Sequence, residues 1–198
     1  MKKFIKTCFA LFIAINLCGL RVSLFLNANL GSDSFTLLQE GMGYAMNMTI
    51  GEASRWFLVI TLSIALLINR KAIGWTTIAY GLLIGYSMDF YNQLIGILDI
   101  PNMNLFIRLI TVSLGQICFI LQFVVLIQYC KGMNQVDAIA YGIENHFHIP
   151  YKYARTSIDI LFIVVGFILN GVIGIGTLLA MFTTGIGIDF CLKRLNSK

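Results

Sequence analysis

Long apolar runs, broken by short polar punctuation, set the pattern of this chain, and their lengths are those of helices rather than strands. Six stretches are apolar for long enough to cross a bilayer, near residues 4–29, 54–69, 72–92, 104–130, 153–169 and 171–192. Two further segments, about 33–46 and 134–146, mix apolar residues with Gly, Asp, Asn and Glu. Both are too short and too polar for ordinary spans, which predicts segments that re-enter the membrane or lie at its interface. The expected fold is an all-α polytopic membrane protein forming a single domain over residues 1–198.

Composition agrees with lipid as the solvent. Hydrophobic residues make up 58% of the 198 and charged residues 12%, with a mean hydropathy of +0.84. A soluble domain carries about a quarter charged residues, because its surface faces water. The start Met1-Lys2-Lys3-Phe4-Ile5-Lys6 resembles a secretory signal, but the apolar run continues past Arg21 to Leu30 with no small-x-small cleavage site. Cys18 follows Ile15-Asn16-Leu17, a poor match to a lipoprotein signal. An uncleaved first helix is expected. The five cysteines (Cys8, Cys18, Cys118, Cys130 and Cys191) lie in or beside apolar runs without a CxxC pair, so small membrane-buried side chains are expected rather than disulfides or metal ligands.

The net charge of +5 reads as orientation rather than as a nucleic-acid patch. With six spans and a cytoplasmic N-terminus, Lys2, Lys3, Lys6, Arg70, Lys71, Lys131, Lys152, Arg155, Lys193 and Arg194 all fall inside, while Asn92–Met103 and Asn170-Gly171 hold no Lys or Arg. Counting the short segments as spans would put Arg70 and Lys71 outside. Six spans with both termini in the cytoplasm is therefore the expected topology, in the cell membrane.

The halves repeat. Ile73-Gly74-Trp75-Thr76-Thr77 aligns with Ile173-Gly174-Ile175-Gly176-Thr177, and at the same shift Gly85 meets Gly185, Asp89 meets Asp189, and Arg55 meets Arg155. One residue further in offset, Gly31 meets Gly132 and Gly41 meets Gly142. Two repeats, 1–96 and 101–195, follow. Three spans per repeat is an odd number, so the second must be inverted in the membrane. The two short segments would then enter from opposite faces and approach near the midplane, as broken helices do in secondary transporters.

Leu30-Gly31 with Leu37-Leu38 and Gly41, then Thr49-Ile50-Gly51-Glu52-Ala53-Ser54, then Ile73-Gly74 leading to Gly85 and Asp89, resemble the YczE/YyaS/YitT-type bacterial integral membrane proteins. Arg155-Thr156-Ser157-Ile158-Asp159 resembles that family's Arg-x-x-x-acid step, and Gly174-Ile175-Gly176-Thr177 its Gly-x-Gly-Thr. The likeness covers nearly the whole chain. One departure is Ser34-Phe35-Thr36, where the family's first half has Pro-aromatic-Asp; Asp137 matches the acid of the second half. The resemblance implies a membrane protein and leaves the substrate open.

Charges within spans are costly, about 2.5–3.5 kcal/mol at a helix centre on insertion scales, so retained ones usually face partners or water. Arg21, Glu40 and Asp89 belong to the outer half. They would form a gate or anion contact with Arg21 held by Glu40 or Asp89, or else a structural salt bridge, or Arg21 would simply snorkel. In the inner half, Arg155 and Asp159 are four apart on one helix and should pair as a structural device. Asp137, at the mouth of the inner short segment, is the ligand or proton-site candidate, with helix capping as its alternative. Glu144 lies in the same half, and Asp189 should meet water. Gly74, Thr77, Gly81 and Gly85 form a small-residue stripe that Gly174, Thr177 and Gly185 largely repeat, suited to close helix packing or to a substrate-lining face. His146 and His148 lack further ligands at zinc-binding spacing.

Enzyme signatures are absent: no Walker A loop, no GxSxG, no HExxH. No cofactor, metal or nucleic-acid site is expected; the partners are the lipid bilayer and a small solute, and a second copy of the chain stays open. The expected function is a secondary transporter or permease. Alternatives are a substrate-capture subunit of a larger uptake machine, docking through Ala10-x-x-x-Ala14, or a non-transporting accessory or regulatory protein.

Overall fold

The computed structural model describes residues 2–130 and 134–196. Among these residues are eight α-helices: α1 (Lys2–Ala28), α2 (Ser34–Met46), α3 (Ile50–Asn69), α4 (Trp75–Gly96), α5 (Leu105–Tyr129), α6 (Gln135–Phe147), α7 (Tyr151–Ile168) and α8 (Ile175–Asn196). Every apolar stretch is a helix, and the two short segments are the 13-residue helices α2 and α6. By length and composition, α1, α3, α5 and α8 can each cross a bilayer. The more polar α4 and α7 complete the set of long helices. Lys131 and Gly132, which entered the charge and repeat patterns, lie outside the described residues.

Local chemistry explains where the helices begin and end. Thr49 and Glu52 form a capping box: the Thr49 hydroxyl accepts from the Glu52 N–H at 3.1 Å, and the Glu52 carboxylate accepts from the Thr49 N–H at 3.0 Å. The family-like Thr49–Ser54 motif is thus a helix start. Asn104 caps α5 and Asn134 caps α6 through side-chain oxygens. At the other end of α1, Arg108 from α5 donates through Nε to the Ala28 carbonyl at 2.7 Å and through Nη2 to the Asn29 carbonyl at 2.6 Å. A cation thereby meets the carbonyl-rich end of α1.

Helix α1 is central and packs on both α4 and α5, and α5 in turn packs on α8. Ala14, Cys18, Val22 and Ala28 have no exposed surface. Ala10 and Ala14 lie on this buried face, at 5% and 0% exposure, so the stripe expected to dock a partner is consumed inside the chain. That expectation is corrected. The short helices exchange places: α2 lies on α7, and α6 lies on α3. Large apolar side chains such as Phe9, Phe12, Leu67, Phe106 and Phe182 point outward and stay exposed, as an apolar surrounding medium permits.

Glycines set the closest approaches. A Cβ on Gly41 would collide with the Gly166 carbonyl of α7, and one on Gly85 with the Gly51 carbonyl of α3. Gly31 has φ +90°, and a side chain there would strike the Gly174 backbone; the Gly176 N–H donates to the Leu30 carbonyl at 2.8 Å across this seam. Gly74 serves as the N-cap residue of α4. Gly185 departs from the expected packing role, since a Cβ there would meet nothing within 4 Å. The repeat of the stripe in α8 stops at Thr177 because α8 turns that face outward.

These geometries give a paired test. Gly31→Ala should lower the unfolding free energy in mild detergent by about 2 kcal/mol or more, from left-handed backbone strain and overpacking together. Gly185→Ala should leave it unchanged or slightly raised. Denaturant titration followed by circular dichroism checks both.

Candidate functional site

A cavity of about 310 Å³ lies among α1 to α6, at the small end of the range of small-molecule sites. The N-terminal parts of both short helices border it: Phe35 and Gln39 from the first two turns of α2, and Gln135 and Asp137 from the first turn of α6, beside the α6 cap Asn134. Arg21 of α1, Tyr80 of α4 and Gln122 of α5 add polar groups to walls that are otherwise largely aromatic and aliphatic.

Arg21 is buried, and its partner is Asp33. Nη1 meets Asp33 Oδ1 at 2.6 Å, and the Thr36 hydroxyl donates to the same oxygen at 2.7 Å. The guanidinium stacks on the Phe119 ring at 4.0 Å, an arrangement that stabilises a desolvated cation. Asp33 is the N-cap residue of α2, so the pair ties α1 to the start of the short helix. Sequence reasoning assigned Arg21 to Glu40 or Asp89, and both assignments are corrected. Glu40 accepts from the Val172 N–H at 3.1 Å and anchors α2 to the α7–α8 connection. Asp89 accepts from the Gly51 N–H at 2.8 Å and faces Arg55 at 3.7 Å, at the start of α3. Neither lines the cavity, because each is committed to a backbone N–H elsewhere.

Asp137 does reach the cavity, and it is not a cap. Asn134 caps α6, while Asp137 lies 3.1 Å from Arg155 Nε and accepts from the Tyr151 hydroxyl at 3.0 Å. The expected pair of Arg155 with Asp159 is present at 2.6 Å. It extends further: the Ser34 hydroxyl of α2 donates to the same Asp159 oxygen at 2.7 Å, and the Arg155 guanidinium stacks on Phe35 at 4.8 Å. The first turns of α2 and α6 are therefore joined through one arginine of α7.

Sequence reasoning passed over three residues here: Asp33, the partner of Arg21, and the cavity-lining Gln39 and Gln122. Asp33 was legible as the acid that opens the outer short segment. Gln39 and Gln122 gave no signal beyond being amides in apolar surroundings. Among buried polar atoms without a hydrogen-bond partner are Arg21 Nε, Gln39 Oε1 and Gln122 Oε1; these residues are 5%, 6% and 3% exposed, and all three line the cavity. The other end of the Gln122 amide is held, its N–H donating to the Tyr80 hydroxyl at 2.5 Å.

A family model matches residues 5–193, nearly the full length. The chain belongs to DUF6198, a family of unknown function. An uncharacterized protein of Haemophilus influenzae is 28% identical to this DUF6198 chain over 186 residues, covering 92% of the chain and 80% of its own length. The uncharacterized protein YyaS of Bacillus subtilis is 25% identical over 174 residues, covering 88% and 86%. The second match bears out the YyaS-like part of the resemblance. No solved structure matches the DUF6198 chain significantly.

The Arg21–Asp33 geometry carries a stability prediction. Arg21→Ala should cost about 3–5 kcal/mol by stranding a buried carboxylate. Adding Asp33→Asn to that variant should restore most of the loss, and adding Glu40→Gln or Asp89→Asn should restore none. Equal rescue by all three second substitutions, in detergent unfolding curves, would remove the pair from this account.

Proposed function

We propose that this DUF6198 protein is a six-span permease of the cytoplasmic membrane, with both termini inside and a small solute bound between two inverted repeats. The observation that carries the reading is the cavity bounded by the N-terminal parts of both short helices and lined by residues that carry unpartnered buried polar atoms. Helix N-termini facing a central polar cavity are a recurring device of secondary transporters. The packing supports the inverted arrangement: α2 on α7 is matched by α6 on α3, and α1 on α4 by α5 on α8, as two related halves would pack. In this reading Asp137 is the coupling carboxylate, exchanging a proton or cation as Arg155 and Tyr151 release it.

A substrate-capture subunit would use the same cavity, but its expected docking stripe is buried. A purely accessory protein leaves the unpartnered cavity atoms without a purpose. The warrant for transport is architectural, and the test is direct. Proteoliposomes loaded with a filtered extract of small metabolites should lose a specific solute, detected by mass spectrometry, and Asp137→Asn should slow that loss at least about tenfold while inserting normally. Solute loss no greater than from empty liposomes would sink the permease reading; undiminished loss through Asp137→Asn would remove only the coupling role.

Topology has its own check. In a cysteine-free background, Arg70→Cys should react with a membrane-impermeant thiol reagent from the cytoplasmic side alone. Labelling from the outside of intact cells would exclude the six-span arrangement.

A further inference from the structure

The chemistry of the cavity goes further than its existence and defines a class of solute. Its unpartnered atoms are of both kinds: the Arg21 Nε–H is a donor, while Gln39 Oε1 and Gln122 Oε1 are acceptors. Each belongs to a side chain that is at least nine-tenths buried and whose residue lines the same space. A buried polar atom without a partner carries a desolvation cost that a ligand can relieve. The complement of this set is a group that accepts one hydrogen bond and donates one or two. Carboxylates accept only, and ammonium groups donate only. An amide edge does both.

Charge points the same way. Arg21 is already neutralised by Asp33. At the other end, Arg155 faces two carboxylates, Asp137 and Asp159, which leaves one negative charge uncompensated. Against it stand the N-termini of α2 and α6, each equivalent to about half a positive charge. The groups around the cavity balance without help from a ligand. A solute of either sign would bring an unpaired charge into a site walled largely by apolar side chains, which is strongly unfavourable.

The walls add the body of the molecule. Phe57, Tyr80 and Phe123 line the space, whereas the faces of Phe119 and Phe35 are taken by Arg21 and Arg155. Aromatic surfaces favour a flat, apolar partner in offset or edge contact.

We infer that the cavity binds an uncharged, flat solute with an apolar body and an amide-type edge, its carbonyl accepting from Arg21 Nε and its N–H groups donating to the amide oxygens of Gln39 and Gln122. This rests on the cavity being a solute site, as the permease reading holds, but it can be tested without transport. Benzamide, benzoate and benzylamine share one ring and differ in charge and in donor–acceptor pattern. Thermal unfolding of the purified full chain in detergent should shift upward with benzamide at millimolar concentration, and much less with the other two. Gln39→Leu should weaken the apparent benzamide affinity at least about tenfold, the effect of about one lost hydrogen bond to an otherwise unpaired group. Gln122→Leu provides the same measurement should the first variant fold poorly.

Equal or larger shifts with benzoate or benzylamine would overturn the solute class, as would the absence of a shift with all three, or a benzamide shift that survives both glutamine substitutions. The permease reading stands or falls separately on solute loss from proteoliposomes. Selective benzamide binding with no flux would therefore keep the solute class and discard transport.

Discussion

Keeping a guanidinium out of water is the constraint around which the centre of this fold is arranged, and Asp33 is where that constraint is satisfied. With Arg21 at 5% exposure, a carboxylate must be within direct reach, and the chain supplies it at the first position ahead of α2. The pair therefore decides more than local electrostatics. It fixes where the connection after α1 turns back, where α2 begins, and which way the first turn of α2 faces. Thr36 then shares the same carboxylate oxygen, so that the cap, the ion pair and the helix start are one structure.

The second short helix reaches a comparable position by different chemistry. Its cap is the neutral Asn134, and its carboxylate sits one turn inside the helix at Asp137. An acid at the N-cap of α2 or in the first turn of α6 suits the positive end of the helix, but the partners differ. Asp33 is bound to α1, whereas Asp137 is bound to Arg155 and Tyr151 at the start of α7. Through Arg155 and Asp159 that second cluster also holds Ser34. The two helix starts are thus linked through Arg155 and Asp159. Only the Asp137 side combines a carboxylate bordering the cavity with a network reaching both short helices.

Much of the architecture was legible because hydropathy and helix length are properties of local sequence. All eight helices fall where apolar runs and short polar segments indicated, and the four-residue spacing of Arg155 and Asp159 gave their pairing outright. Arg21 was harder. Its partner lies twelve residues on, beyond a reversal of the chain, and spacing along a helix says nothing about which acid a turn brings back. Glu40 and Asp89 were attractive because they sit within helices, yet each answers a backbone N–H that no pattern of side chains reveals. Gln39 and Gln122 were missed for another reason: a neutral amide barely disturbs hydropathy, and its importance arises only when packing removes its partners. The repeated glycines misled at Gly185, where the motif persists but the facing helix does not.

The seam between the α1–α2 and α7–α8 connections has a consequence for how this chain tolerates substitution. In most soluble proteins connecting segments accept change and helix interiors resist it. Here Gly31 and Gly174, with Gly176 in the first turn of α8, bring two connections together backbone to backbone, leaving no room for any larger residue. The outward faces of α1 and α8 need only stay apolar, and Phe12 or Phe182 could drift among hydrophobic types with little effect. These two loops are therefore as restrained as the inward helix faces at Gly41 and Gly85, and freedom belongs to the outward helix faces, so sequence drift along this chain will spare a pair of turns where it would ordinarily strike first.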